Sequence, residues 1–104
     1  MKNSKIIDRW INNQSFQRSR IALSTDGDSL YSYNLKIGYT NKNGKKVVVD
    51  YTAKGGFFKS QTTSQHVGIA MREADLVRNP TVDDESAPIE IPVNVYNPRT
   101  FNKE

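Results

Sequence analysis

Between Tyr31 and Tyr39 the chain alternates, with Tyr31, Tyr33, Leu35, Ile37 and Tyr39 on one side of the count and Ser32, Asn34, Lys36 and Gly38 on the other. A period of two sustained over this stretch predicts a strand with one buried and one wet face. Asn41-Lys42-Asn43-Gly44 follows as a hairpin turn, because Asn43-Gly44 is a pair that accepts two consecutive positive φ values. The returning strand spans Lys45 to Thr52, with Val47, Val49 and Tyr51 on one face and Lys46, Val48, Asp50 and Thr52 on the other.

Two other stretches carry a helical period. Ile6, Ile7, Trp10 and Ile11 form one apolar stripe within Ser4–Asn13, with Ser4 available as N-cap and Asn12, Asn13 and Ser15 ending the run. A helix this short is marginal in isolation, so its stripe must dock on the core or on a partner. Val67, Ala70, Met71 and Ala74 predict a second helix, over 62–77, with that face on the sheet. Thr62 and Gln65 match a capping box at its start, and Asn79-Pro80 stops it.

The remaining segments connect these elements. Residues 17–24 read as a first strand or as an extended arm bearing Arg18 and Arg20, and Thr25-Asp26-Gly27-Asp28 reads as a turn. Gly55-Gly56 loosens the chain after the hairpin, and Phe57-Phe58 would anchor that loop. Ile89, Ile91, Val93 and Val95 alternate with polar residues and Pro92, which predicts an edge strand. Residues 81–87 read as an acidic surface loop and 97–104 as a loose tail.

The expected architecture is a single α+β domain over residues 1–104. A small antiparallel sheet of three to five strands is built around the central hairpin at about 30–52. The helix at about 62–77 packs on it, and residues 1–16 form a short N-terminal helix and arm. The exposed edge strand makes a homodimer conceivable, by pairing with a second copy.

Composition narrows the class. The chain has 104 residues, 36% of them hydrophobic and 25% charged, which suits a soluble globular domain rather than a disordered chain. No apolar run approaches the ~20 residues of a membrane span. The first residues carry no apolar stretch of a secretory signal. There are no cysteines, so thiolate zinc sites and disulfides are excluded, which agrees with a reducing cytosol.

The net charge is +4, and it is uneven: residues 1–20 hold five basic groups against one acidic, while residues 76–104 hold three against five. Such a front attracts polyanions, or is simply a solvated face.

Candidate chemistry clusters at the start of the second helix. His66 is the only histidine, and in the first helical turn the macrodipole should hold it neutral. A neutral imidazole beside Thr63 and Ser64 could act as a general base, or simply pack at the loop–helix junction. The helix N–H groups, Thr62, Thr63 and Ser64, with Lys54 and Lys59 nearby, could hold an anion, although the same hydroxyls also serve as caps. Tyrosines interleaved with lysines resemble a surface that stacks bases, but sharing a face with Leu35 and Ile37 favours the core for most of them. No metal-ligand spacing and no cofactor fingerprint is present.

Tyr31-Ser32-Tyr33, Ile37, a valine-rich strand and Ser60…Thr62-Thr63-Ser64…His66 together resemble a family of small bacteriophage proteins. Its signature is a Tyr-Ser-Tyr strand, a second strand, and Ser-x-Thr-Thr-Ser-x-His opening a helix. The resemblance covers about residues 30 to 67, and this chain departs from it in the Gly55-Gly56 loop and in both terminal extensions. It implies a phage origin, marks Ser32, Thr62, Thr63, Ser64 and His66, and implies no particular activity.

Together these readings lead to an accessory protein of the host cytoplasm, more readily a binder than an enzyme, acting on nucleic acid or on a host protein that handles it. The candidate contacts are Arg18, Arg20, Lys54, Lys59, Thr62, Thr63, Ser64 and His66. The alternatives are a small hydrolase or nuclease using His66, and a structural component of the virion.

Overall fold

The computed structural model describes residues 2–18, 20–52, 59–78 and 90–96, without the side chains of Asn94 and Tyr96. Its elements are α1 (Asn3–Ile11), β1 (Ser15–Phe16), β2 (Leu23–Asp26), β3 (Leu30–Ser32), β4 (Leu35–Thr40), β5 (Lys46–Val49), α2 (Gln61–Glu73), β6 (Leu76–Arg78), β7 (Glu90–Pro92) and the single turn α3 (Val93–Tyr96). Among the described residues the strands form one seven-stranded sheet in chain order. The α+β class holds, while the sheet is larger than expected and is mixed rather than purely antiparallel.

The alternation between Tyr31 and Tyr39 does not make one strand. Ser32 pairs with Leu35, so Tyr33 and Asn34 form a tight turn between β3 and β4, with Tyr33 at φ +58°. The partnered Ser32 and Leu35 both face the helices, so the turn shifts the inward set from even positions in β3 to odd positions in β4, and Tyr31 faces away from Leu35 and Ile37. A bulge then places one extra residue, Ile37, opposite the Leu30/Tyr31 step. The second hairpin, β4–β5, does form, with Tyr39 opposite Val47. Its turn needs positive φ only at Gly44, at +80°, and not at Asn43. Asn41 Oδ1 accepts the backbone N–H of Asn43 and of Lys45 and thereby shapes the loop.

The larger correction lies after α2. The helix ends at Glu73 rather than near Val77, and Leu76-Val77-Arg78 becomes β6, parallel to β5 with Val48 opposite Val77. Parallel neighbours need a long crossover, and α2 supplies it. The junction is fastened by Asp75, whose carboxylate and backbone N–H bond the N–H and C=O of Lys46. β5 is thus a central strand, and all four of its residues are buried.

The β7 strand lies at the sheet edge as Pro92 requires, but the alternation through Val93 and Val95 ends in α3 instead of continuing. Of the described residues among 17–24, only Leu23 and Ser24 are in a strand, so the arm reading is the better one there. The Gly55-Gly56 and Phe57-Phe58 loop, the acidic 81–87 loop and the 97–104 tail fall outside the described residues.

Both long helices lie over the same face. Ile6, Ile7 and Trp10 of α1 join Val67, Ala70 and Met71 of α2 in one core with Leu23, Leu30, Ile37, Val48 and Val77. Full burial of such a side chain is worth about 1.5–3 kcal/mol, which is what holds a helix as short as α1. Its start has no side-chain cap: Lys2 occupies the cap position and Ser4 lies inside the helix. Trp10 sits directly on Gly38, where a Cβ would come within 2.9 Å of the indole, so that glycine is required for α1 to approach the sheet.

Candidate functional site

Two places gather the candidate residues. The first is beneath the N-terminus of α2. Ser60, in extended conformation, is the N-cap, and its Oγ accepts the N–H of Thr63 at 3.1 Å. The cap is therefore Ser60 rather than Thr62. With the helix starting at Gln61, Thr63 and His66 fall on its inner face, and both are buried. Across from them, on the inward side of β3, is Ser32, 1% exposed. Its Oγ lies 2.7 Å from His66 Nδ1 and 3.0 Å from Thr63 Oγ1.

This three-residue chain can be satisfied in more than one proton arrangement, because each hydroxyl both donates and accepts. Burial pushes the His66 pKa below its ordinary 6.5, so the ring is neutral at pH 7. The direction matches the sequence expectation, and desolvation rather than the helix dipole is its cause. What the arrangement can do chemically is limited by access. Ser32 Oγ is enclosed and engaged on both sides, so it is not placed to attack a substrate. Thr62 and Ser64 are half-buried on either side of Thr63, and the Ser64 N–H is held by the Ser60 carbonyl. The capping role thus accounts for much of the anion site expected here. Lys59 is exposed, with its Nζ 5.7 Å from the centre of the Tyr51 ring, and Lys54 lies outside the described residues.

The second place is an open cleft of about 460 Å³ between the 17–24 segment and the β3–β4 turn. Arg18 and Arg20 line one side, Tyr33 and Asn34 the other, and Gln17, Ile21, Ala22 and Ser24 complete it. Local backbone geometry builds it. Tyr33 turns the chain at positive φ and donates its N–H to the Ala22 carbonyl at 2.7 Å, which ties the turn to the arm. Arg20 also has positive φ, +70°. Arg18 is steadied by the Phe16 ring, 5.8 Å from its guanidinium.

Non-glycine residues in this region of φ are uncommon, and the described residues contain three, Asn13, Arg20 and Tyr33. Two of the three line this cleft. Tyr33 is also 58% exposed, against the expectation that it would be core.

The structure therefore divides the sequence-predicted set. Thr63 and His66 come together with Ser32, while Arg18 and Arg20 come together with Tyr33. Tyr33, Asn34 and Ser24 were missed as site residues, because the alternating pattern concealed the turn; the Asn at 34, a turn-forming residue, was the available signal. Among the described residues no group of His, Asp and Glu could hold a metal ion, and no helix is long and apolar enough to cross a membrane. No protein-family model, curated protein sequence or solved structure matches the chain.

Proposed function

We propose that the chain is a small phage-type accessory protein that binds nucleic acid through the Arg18–Arg20–Tyr33 cleft. The observation that carries this reading is the pairing of two guanidiniums with an exposed tyrosine across one open cleft. Guanidinium groups contact phosphates in bidentate fashion, and a tyrosine ring offers a stacking face. Strain adds support, since residues held in sparsely populated conformations concentrate where ligands bind. The net charge of +4, with an excess in residues 1–20 that includes Arg18 and Arg20, favours a polyanion as ligand.

A hydrolase centred on His66 has less support. The Ser32–His66 contact is the right pair of side chains, but the hydroxyl is buried and already spent.

Titrating labelled single-stranded and duplex DNA and RNA against salt tests the proposal. Binding should weaken steeply as salt rises, and Arg18→Ala and Arg20→Ala should each weaken it and flatten the slope. Absence of binding at low salt would overturn it and favour an acidic surface on a host protein.

A further inference from the structure

We propose that the ligand is a single strand, and that its path continues from the cleft across the outer face of β2, β3 and β4, over Tyr31 to Lys36. This rests on the cleft reading above. Ser24 lines the cleft and pairs with Tyr31, which pairs in turn with Lys36. Leu23, Thr25, Leu30 and Ser32, the neighbours along β2 and β3, are all buried toward the helices. Strand geometry therefore turns Ser24, Tyr31 and Lys36 to the opposite face. There Tyr31 and Ser24 are half-buried and Lys36 is exposed.

Adjacent strands are ~4.8 Å apart, so this row extends the cleft by ~10 Å, the span of about three stacked bases at ~3.4 Å each. Tyr33 and Tyr31 then form two successive stacking platforms, with Arg18 and Arg20 at one end and Lys36 at the other. Stacking on a side chain needs a base whose flat face is free, which an intact duplex does not offer. Carboxylates also reach this face: Asp26, on the outer side of β2, interacts with Lys36 and partly offsets it, and Glu90 is held by the Tyr39 hydroxyl farther along β4. The Asp26 carboxylate also accepts the N–H groups of Asp28 and Ser29, so its charge is turned partly toward its own turn.

The test is fluorescence anisotropy with a labelled thymidine dinucleotide, a longer oligothymidylate and a duplex, using the full chain. The longer strand should bind more tightly than the duplex. Tyr31→Leu keeps apolar bulk in the strand but removes the phenol ring, and should weaken the longer strand by about tenfold while leaving the dinucleotide unchanged. Lys36→Gln, at an exposed position, should lower the salt slope by ~0.7.

If Arg20→Ala weakens binding while Tyr31→Leu and Lys36→Gln leave the affinity and slope for the longer strand unaltered, the track is wrong and the cleft stands. Tighter binding of the duplex would overturn the single-strand assignment. No binding of any probe at low salt would overturn both.

Discussion

Among the described residues, two regions each hold a pair of residues in the left-handed region, and they manage it in opposite ways. At the first, Asn13 has φ +60° and Gly27 has φ +94°, and the two turns touch so closely that a Cβ on Gly27 would meet the Asn13 carbonyl at 2.9 Å. Lys46, buried at the start of β5, holds them together. Its Nζ donates to Asn13 Oδ1 at 2.8 Å, to the Gly27 carbonyl at 3.1 Å and to Thr40 Oγ1 at 2.6 Å, and it lies 5.5 Å from the Trp10 ring centre. All three ammonium hydrogens are used. The buried cation is offset by bonds that fasten two turns and a strand end, and nothing of it is offered to a ligand.

At the second region, Arg20 and Tyr33 hold similar φ values at the mouth of a cleft, with their side chains exposed. The same conformation thus serves closure in one place and display in the other. The burial and bonding around the residue distinguish the two, and the dihedral angle does not.

The largest expected effect comes from breaking the closed region. Lys46→Ala leaves three acceptors without their donor and should cost on the order of 2–4 kcal/mol, read as a lower urea midpoint. Intact stability would mean that the turns are held by other contacts. Gly27→Ala should follow at about 1–3 kcal/mol, since both φ and the Asn13 contact oppose a side chain there.

Ser32→Ala comes next. It removes the shared partner of His66 and Thr63 and should cost about 1–3 kcal/mol, with binding by the cleft retained. The same cluster predicts a pH effect with a definite sign. The folded-state pKa of His66 lies below 6.5, so the unfolded chain binds the proton more readily. The contribution is complete above pH 6.5 and is lost as pH falls through that value toward the lower folded-state pKa, where it levels off. Denaturation at stepped pH should show this limb, and His66→Asn should flatten it.

The smallest effect on stability, and the sharpest for the comparison, is Tyr33→Asn. Asn tolerates positive φ better than Tyr, so stability should stay level or rise by up to about 1 kcal/mol while nucleic-acid binding falls. A loss of stability with binding unchanged would make Tyr33 a structural residue like Asn13 and remove the contrast.

Short-range patterns carried much of the fold. The Ile6-Ile7-Trp10 stripe, the Gly44 turn, the β4–β5 hairpin and the Val67-Ala70-Met71 face are local periodicities, and each appears where its period placed it. The failures share a cause. Tyr33-Asn34 reverses the chain and shifts the inward positions, but the outward Tyr31 and the exposed Tyr33 count as apolar in step with Leu35 and Ile37, so the pattern of residue types hid the turn. Leu76-Val77-Arg78 has only three residues, too few to show a period, and the preceding helical spacing runs smoothly into it.

By itself, then, the sequence determined the α+β class, the amphipathic faces and the basic front, because burial and charge follow from which residue stands at which step. Only the tertiary structure decided that Leu76–Arg78 is a strand, since the free edge of β5 supplies its hydrogen bonds. It also decided the two groupings on which function depends. Ser32 meets Thr63 and His66 across separations of 31 and 34 residues, and Arg18 and Arg20 meet Tyr33 only because the β3–β4 turn folds back onto the arm. Such encounters depend on strand register and on where the chain reverses, quantities set by the whole sheet rather than by any one segment.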